Sequence, residues 1–230
     1  MFLDYGLLAS EREVAYLLGV NIISLRSYAE RFSDALALVD LLDENRQAYD
    51  FGSTEHRQFI KWKFIAVESG VIATYNAFEC LSQIAKLYPK SDTISKSMDE
   101  NSFKAATETF ENFFPKMNKS VRTGIAHGAP AHESIARHRS HMPQGGPLIM
   151  NTLNDRTIQS TLHGGLLSFT IDARNSSALN SVATLTEKAF EGARQFTLQF
   201  SSVNQYDKEN PVIIPDHYRT GTSAGTLPLV

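Results

Sequence analysis

The sequence has little cysteine and no long apolar run: Cys80 is its one cysteine among 230 residues. A single cysteine excludes a disulfide framework of the kind that small secreted domains need. Cys80 lies in an apolar helical stretch, which is typical of a small buried residue in a reducing compartment. No apolar run approaches the ~20 residues that span a bilayer, so we expect no membrane segment.

The sequence also lacks a strong net charge, which is −3, with 42% hydrophobic and 20% charged residues. These values are ordinary for a soluble globular protein and do not predict a uniformly basic nucleic-acid binder. The first ten residues, MFLDYGLLAS, include Asp4 and no basic region, so we predict no signal peptide. We therefore expect a cytoplasmic protein.

Charge is unevenly distributed along the chain. Residues 1–55 hold ten acidic and four basic side chains, whereas residues 115–141 hold five basic side chains and one acidic one. His127, His132, His138 and His141 lie in the same basic stretch. A local positive patch on an acidic protein can attract phosphate, although a solvated loop would give the same pattern.

The first half of the chain predicts two long helices. The pattern Ser10-Glu11-Arg12-Glu13 is typical of a capping box, and apolar residues then keep a helical period to about Arg46, as one kinked helix or two helices. Ser53 is placed to cap a second helix from Glu55 to Leu87, in which Gly70 is the one poor helix former. On this helix Glu68, Tyr75 and Glu79 share a stripe, with Asn76 beside it.

The middle of the chain predicts a linker and two shorter helices. Residues 89–99 are polar and predict a linker, and a helix then begins at Asn101 or Ser102. Pro115 ends that helix because proline removes a helix hydrogen bond. A separate short helix is expected over residues 116–127.

The last third predicts a small sheet and a final helix. Leu148–Met150 and Thr157-Ile158 flank an Asn154-Asp155 turn, and residues 166–171 give a third strand. Asn175-Ser176-Ser177 predicts the cap of a helix that runs to Phe200. The predicted fold class is mainly α: an antiparallel helical bundle with a long central helix and a small antiparallel three-strand insertion before the last helix. We predict a single domain over residues 1–203, with the β insertion at about 147–172, and a flexible tail over 204–230.

Arg122 and His127 in the stretch SVRTGIAHG are the candidate functional residues. An arginine beside a group that titrates near neutrality suits phosphate chemistry. The spacing alone is weak, because 12 arginines and seven histidines give about one such pair by chance. A second pair, Arg156 and His163, does occur, but we place it in or beside the predicted strands.

The context of the pair resembles the HEPN superfamily, which comprises all-helical domains. Many of these are metal-independent RNases of toxin–antitoxin and phage-defence systems. The resemblance covers roughly residues 10–128 and the last helix, and its signature, Arg followed by His after four to six residues, maps onto Arg122 and His127. Thr123 stands where the family often has Asn, Asp or His.

The resemblance implies an endoribonuclease that leaves a 2′,3′-cyclic phosphate and needs no metal or other cofactor. Arg122 and His127 would be catalytic, and Thr123, Lys116 and Lys119 would bind the substrate RNA. Glu79 and Asn76 would support the site. The implied partners are RNA, a second copy of the chain that brings the two 122–127 segments face to face, and an antitoxin protein.

Two other interpretations remain open. The chain would be a non-catalytic module of the same fold that binds nucleotide, RNA or protein, since many members of a fold lose their chemistry. Alternatively, Arg122 and His127 are structural and stabilise the end of their own helix, where positive side chains favour the helix dipole. A metal site at His138 and His141 is not predicted, because no cysteine and few acidic residues lie nearby.

Overall fold

The computed structural model describes residues 11–46, 49–115, 152–162 and 165–193. These residues form a mainly helical structure with a three-stranded antiparallel sheet. The helices are α1 (Arg12–Glu44), α2 (Thr54–Leu87), α3 (Asp92–Ser97), α4 (Glu100–Phe113) and α5 (Ala173–Ala189), and the strands are β1 (Thr152–Asn154), β2 (Thr157–Leu162) and β3 (Gly165–Thr170). None of the helices in this part of the chain is both long and apolar enough to cross a membrane.

The two long helices α1 and α2 form an antiparallel pair. The end of α1 meets the start of α2, where the Asp43 carboxylate accepts a hydrogen bond from Lys63 Nζ at 2.6 Å. The start of α1 meets the chain beyond α2, where Ser91 donates a hydrogen bond to Glu11. The predicted helices are thus confirmed, and Gly19 lies within a single uninterrupted α1.

Helix caps explain where several elements begin. Ser53 Oγ accepts a hydrogen bond from the backbone nitrogen of His56, as predicted for the start of α2. Asp99, and not Asn101 or Ser102, caps α4, and Asp172, and not Asn175, caps α5. Both predictions missed the aspartate just upstream, whose carboxylate accepts hydrogen bonds from two amides at the start of α4 and from one at the start of α5.

The predicted linker over residues 89–99 was wrong in part. A 3₁₀ turn spans Tyr88–Lys90, and the short helix α3 follows it. Ser91 caps α3 through its side chain, and Ile94 is buried in the core. One apolar residue and a serine cap therefore suffice for one and a half turns of helix in a segment that is polar overall.

Helix α5 contacts both α1 and the start of α4. Arg26 of α1 forms a two-pronged ion pair with Glu187 of α5, at 2.9 and 2.6 Å. The backbone nitrogen of Asp99 donates a hydrogen bond to the carbonyl of Ala189 at 2.8 Å, which joins the start of α4 to the end of α5. Helix α5 ends at Ala189, with Phe190 at its C-cap, and therefore stops short of the predicted end at Phe200. Residues beyond 193 lie outside the described residues, as does the tail over 204–230.

The sheet has the order β1-β2-β3, and both pairs of neighbouring strands are antiparallel. The tight turn between β1 and β2 contains Asp155, which has a φ of 52°. Aspartate tolerates this left-handed conformation better than most residues. Ile158 and Phe169 are paired across β2 and β3 and are buried. The predicted hairpin is present, but its two-residue turn is Asp155-Arg156, one position beyond the predicted Asn154-Asp155, because Asn154 ends β1 and pairs with Thr157. The predicted strand over 148–150 lies outside the described residues.

Candidate functional site

Five of the predicted site residues lie outside the described residues: Lys116, Lys119, Arg122, Thr123 and His127. The same holds for His132, His138, His141 and His163. The described elements nevertheless fix the point from which the predicted motif departs, and they contain the two predicted supporting residues, Asn76 and Glu79.

The end of α4 is anchored by aromatic packing. Phe114 is 4% exposed, and its ring lies 5.1 Å from that of Phe110, 6.5 Å from that of Phe32 and 6.2 Å from that of Phe169. Burying one such ring stabilises a fold by about 1.5–3 kcal/mol. Pro115 is exposed, so the chain reaches the surface directly after Phe114. As predicted, α4 ends just before this proline.

Glu79 lies on α2 and is linked to this anchor through two aromatic side chains. Its carboxylate accepts a hydrogen bond of 2.5 Å from the hydroxyl of Tyr75, whose side chain is buried. The Tyr75 ring lies 6.4 Å from that of Phe78, and the Phe78 ring lies 6.0 Å from that of Phe110. The half-buried Glu79 carboxylate is therefore linked to Phe110 of α4 only indirectly, through Tyr75 and Phe78.

Asn76 lies on a different side of α2. It lines a groove of about 400 Å³ between α1 and α2, together with Tyr28 and Arg31 of α1. The guanidinium of Arg31 lies over the Tyr28 ring, 5.5 Å from its centre. The two predicted supporting residues therefore face different neighbours: Glu79 faces Tyr75, and Asn76 faces the groove.

Two further groups on α2 have shifted proton affinities. Burial raises the pKa of Glu68, which shares the stripe with Tyr75 and Glu79. Burial, with a smaller contribution from the charge of Glu79, raises the pKa of Cys80 to about 11. A thiol of this kind remains protonated at neutral pH and is a poor nucleophile. The structure therefore confirms Cys80 as a small buried residue.

A five-residue ion network was missed by the sequence analysis. Lys63 is 4% exposed, and its ammonium donates hydrogen bonds to Asp43 at 2.6 Å and to Asp155 at 2.8 Å. The guanidinium of Arg156 donates two hydrogen bonds to Asp43, at 3.1 and 2.9 Å, and one to Asp40 at 2.6 Å. The only signal in the sequence was a lysine within the apolar pattern of α2, which does not identify its partners.

The network joins the β1–β2 turn to the paired ends of α1 and α2. The hydrogen bond from Lys63 holds the pKa of Asp155 below its ordinary value, and its charge adds to that effect. Arg156 is half-buried and forms ion pairs with two carboxylates of α1, so its side chain stabilises the contact between the β1–β2 turn and α1. This is the arginine of the second Arg–His pair, and its ion pairs with Asp40 and Asp43 give it a structural role in the described fold.

Within the described ranges, no group of three or more His, Cys, Asp or Glu side chains is arranged to hold a metal ion. In comparisons with protein-family models, with curated proteins and with solved structures, the chain has no match.

Proposed function

We propose that the protein is a metal-independent endoribonuclease of the HEPN type, with Arg122 and His127 as its catalytic residues. The observation that carries the proposal is an Arg–His pair five positions apart, in a basic stretch that follows the aromatic-anchored end of α4. A mainly helical fold that includes the long helix α2 supports it, since the resemblance implies a helical domain.

The reaction is a transfer within the RNA strand. The ribose 2′-oxygen attacks the adjacent phosphorus, the bond from phosphorus to the 5′-oxygen breaks, and a 2′,3′-cyclic phosphate and a 5′-hydroxyl are formed. His127 is the proton carrier, because an imidazole changes charge near neutral pH. It removes the proton of the 2′-hydroxyl or supplies one to the departing 5′-oxygen.

The arginine and its neighbours handle the phosphate. Arg122 offers a planar fork of donors to the oxygens on which negative charge increases. Thr123 donates a hydrogen bond to a phosphate oxygen, and Lys116 and Lys119 guide the RNA backbone by charge.

Glu79 is proposed as a supporting residue on α2. Pro115 and Arg122 are seven positions apart, a span of at most about 25 Å when the chain is extended. Glu79 is linked through Tyr75 and Phe78 to Phe110 near the end of α4, and in this proposal the motif reaches it, so that Glu79 orients His127 or holds Arg122. Asn76 remains a predicted supporting residue, and its place in the α1–α2 groove favours it less than Glu79.

A second copy of the chain completes the proposed site. One arginine and one histidine are few groups for phosphodiester cleavage, and a two-fold axis would supply both twice in one cleft. An antitoxin protein is the other partner that a toxin of this type requires.

The test is cleavage of a mixed RNA pool in the presence of EDTA. The wild-type protein should cut RNA, whereas His127→Ala and Arg122→Ala should each abolish cutting. Arg57→Ala is the matched control, since Arg57 is an exposed arginine at the start of α2, and it should leave cleavage unchanged. Arg156→Ala is unsuitable as a control because it breaks the ion network. Cleavage that needs a divalent ion, or that persists in both motif variants, would exclude the mechanism; absence of any cleavage would favour the non-catalytic module.

A further inference from the structure

The outer face of α1 exposes four large apolar side chains. Val20 and Ile23 are each 41% exposed, Leu38 is 37% exposed and Leu41 is 55% exposed. Val20 and Leu38 are 18 positions apart, which is about five helical turns, and so are Ile23 and Leu41. Within each half of the helix the two apolar residues are three positions apart and therefore lie on the same side. All four thus lie along one exposed stripe on the side of α1 that faces away from the core. Apolar surface gathered in this way on a soluble protein is typical of an interaction site.

The spacing of the four residues is symmetric about one point of the helix. Val20 and Leu41 are equally far from the midpoint between Glu30 and Arg31, and Ile23 and Leu38 are also equally far from it. An antiparallel copy of the same helix, related by a two-fold axis at that midpoint, would place Val20 against Leu41 and Ile23 against Leu38. Each contact would occur twice, as every contact does in an isologous interface.

The charged residues at the centre of the stripe are complementary under the same symmetry. Glu30 and Arg31 are both exposed, and the two-fold axis brings each one opposite the other residue of the second copy. Asp34, also exposed, comes opposite Ser27. Within the described residues, Glu30, Arg31 and Asp34 form no ion pair with a side chain of their own chain, although the charge of Glu30 contributes to raising the pKa of Arg26, and Arg31 lies over the Tyr28 ring.

We propose that α1 is an isologous interface, at which two copies of the chain pair through antiparallel α1 helices with the two-fold axis beside Glu30 and Arg31. The stripe from Val20 to Leu41 is about 33 Å long. Ile72 of α2, which is 38% exposed, lines the groove together with Leu38 and extends the apolar surface beyond α1.

The symmetry favours a second copy over a different protein. A helix from a different protein could bind an apolar stripe whatever the spacing of its residues. Pairing with a second copy requires apolar residues at equal distances on either side of a central pair of opposite charges, and α1 has this arrangement. The inference depends only on described residues of α1 and α2, and it does not require that Arg122 and His127 cleave RNA.

Charge reversal with measurement of mass tests the pairing. Multi-angle light scattering over a concentration series should give a dimer for the wild-type protein. Glu30→Arg or Arg31→Glu alone places like charges opposite each other and should raise the dimer dissociation constant at least about tenfold. The double variant Glu30→Arg/Arg31→Glu restores opposite charges and should restore the dimer. Glu111→Arg, a reversal on the exposed side of α4, is the control and should not change the mass.

Cysteine crosslinking tests the antiparallel register. Ser27→Cys/Asp34→Cys should form a covalent dimer on mild oxidation, because position 27 faces position 34 of the second copy. Each single variant should remain uncrosslinked, since two copies of the same position are then about 10 Å apart along the axis. The wild type should also remain uncrosslinked, because Cys80 is buried.

Three outcomes would overturn the interface: a monomer at all concentrations, a dimer that neither charge reversal weakens, or crosslinking in the single cysteine variants. Circular dichroism of each variant confirms that it is folded. RNA cleavage is scored separately, so that a monomer that still cuts RNA refutes the interface and leaves the proposed function intact.

Discussion

At the scale of single residues, Lys63 shows how one buried charge organises its surroundings. Its side chain is 5% exposed and lies between Asp43 and Asp155. Lys63 donates a hydrogen bond to Oδ1 of Asp43, and Arg156 donates to Oδ2 of the same carboxylate. Burying an ammonium is costly unless it is paired, and here every partner is a carboxylate from a different element. The same residues therefore hold together α1, α2 and the β1–β2 turn.

Lys63→Met should lower the free energy of unfolding by about 1–3 kcal/mol, because Asp43 and Asp155 each lose a charged hydrogen bond. Urea unfolding monitored by circular dichroism measures the change. Lys61→Met, at an exposed position of α2, is the matched control and should shift stability by no more than about 0.5 kcal/mol. Equal stability of the Lys63 variant and the wild type would show that the network contributes nothing.

The same contact predicts a pH dependence. A carboxyl group whose pKa is lower in the folded state stabilises the fold above its unfolded pKa and loses that contribution as pH falls through its folded pKa. The pKa of Asp155 is lowered by Lys63. The stability difference between the wild type and Lys63→Met should therefore be constant near pH 7 and shrink below about pH 4. A difference that stays constant down to pH 2.5 would contradict this assignment.

At the scale of elements, the close approach of α2 to the sheet depends on Gly70. A Cβ atom at Gly70 would lie 2.1 Å from Cδ1 and 2.9 Å from Cγ1 of Ile171, which is fully buried just after β3. Gly70, the one poor helix former in α2, is thus the position at which the missing side chain leaves room for Ile171 to pack against the helix.

Gly70→Ala should destabilise the protein by about 1–3 kcal/mol, since overpacking outweighs the better helix propensity of alanine. Ile171→Val removes the closest of the clashing carbon atoms. In a double-mutant cycle, Gly70→Ala should therefore cost less in the Ile171→Val background than in the wild type. A Gly70→Ala variant as stable as the wild type would contradict the packing argument.

The elements also show what the sequence could predict. The apolar period located α1, α2 and α4 because tertiary packing and local pattern agree there. A tight turn at Asp155 was predicted because its chemistry is local, although the observed turn is Asp155-Arg156 and lies one position later than predicted. Asp99 and Asp172 were missed as caps because serine and asparagine nearby satisfy the same pattern, and the pairing of Lys63 with Asp43 and Asp155 depends on contacts distant in sequence. For Arg122 and His127, the residue types and their spacing remain the evidence.

In the whole molecule, the proposed α1 interface and the proposed RNA-cleaving site are two separate features. The exposed apolar residues of α1, which are placed symmetrically about the midpoint between Glu30 and Arg31, predict a symmetric dimer. The Arg122–His127 pair predicts cleavage of RNA. If both hold and the two motifs face one another in that dimer, the charge-reversed variants should lose RNA cleavage together with dimer mass, and the double reversal should recover both. Cleavage that is unchanged in a monomeric variant would show that one copy carries a complete site.

The chemical identity of the cut RNA ends tests whether Arg122 and His127 cleave RNA through a 2′,3′-cyclic phosphate. A defined oligonucleotide is incubated with the wild-type protein or with His127→Ala in the presence of EDTA, and the products are analysed by mass spectrometry. The account predicts 2′,3′-cyclic phosphate and 5′-hydroxyl ends with the wild type and intact RNA with His127→Ala. Products with 3′-hydroxyl and 5′-phosphate ends, or the same products from both proteins, would contradict it.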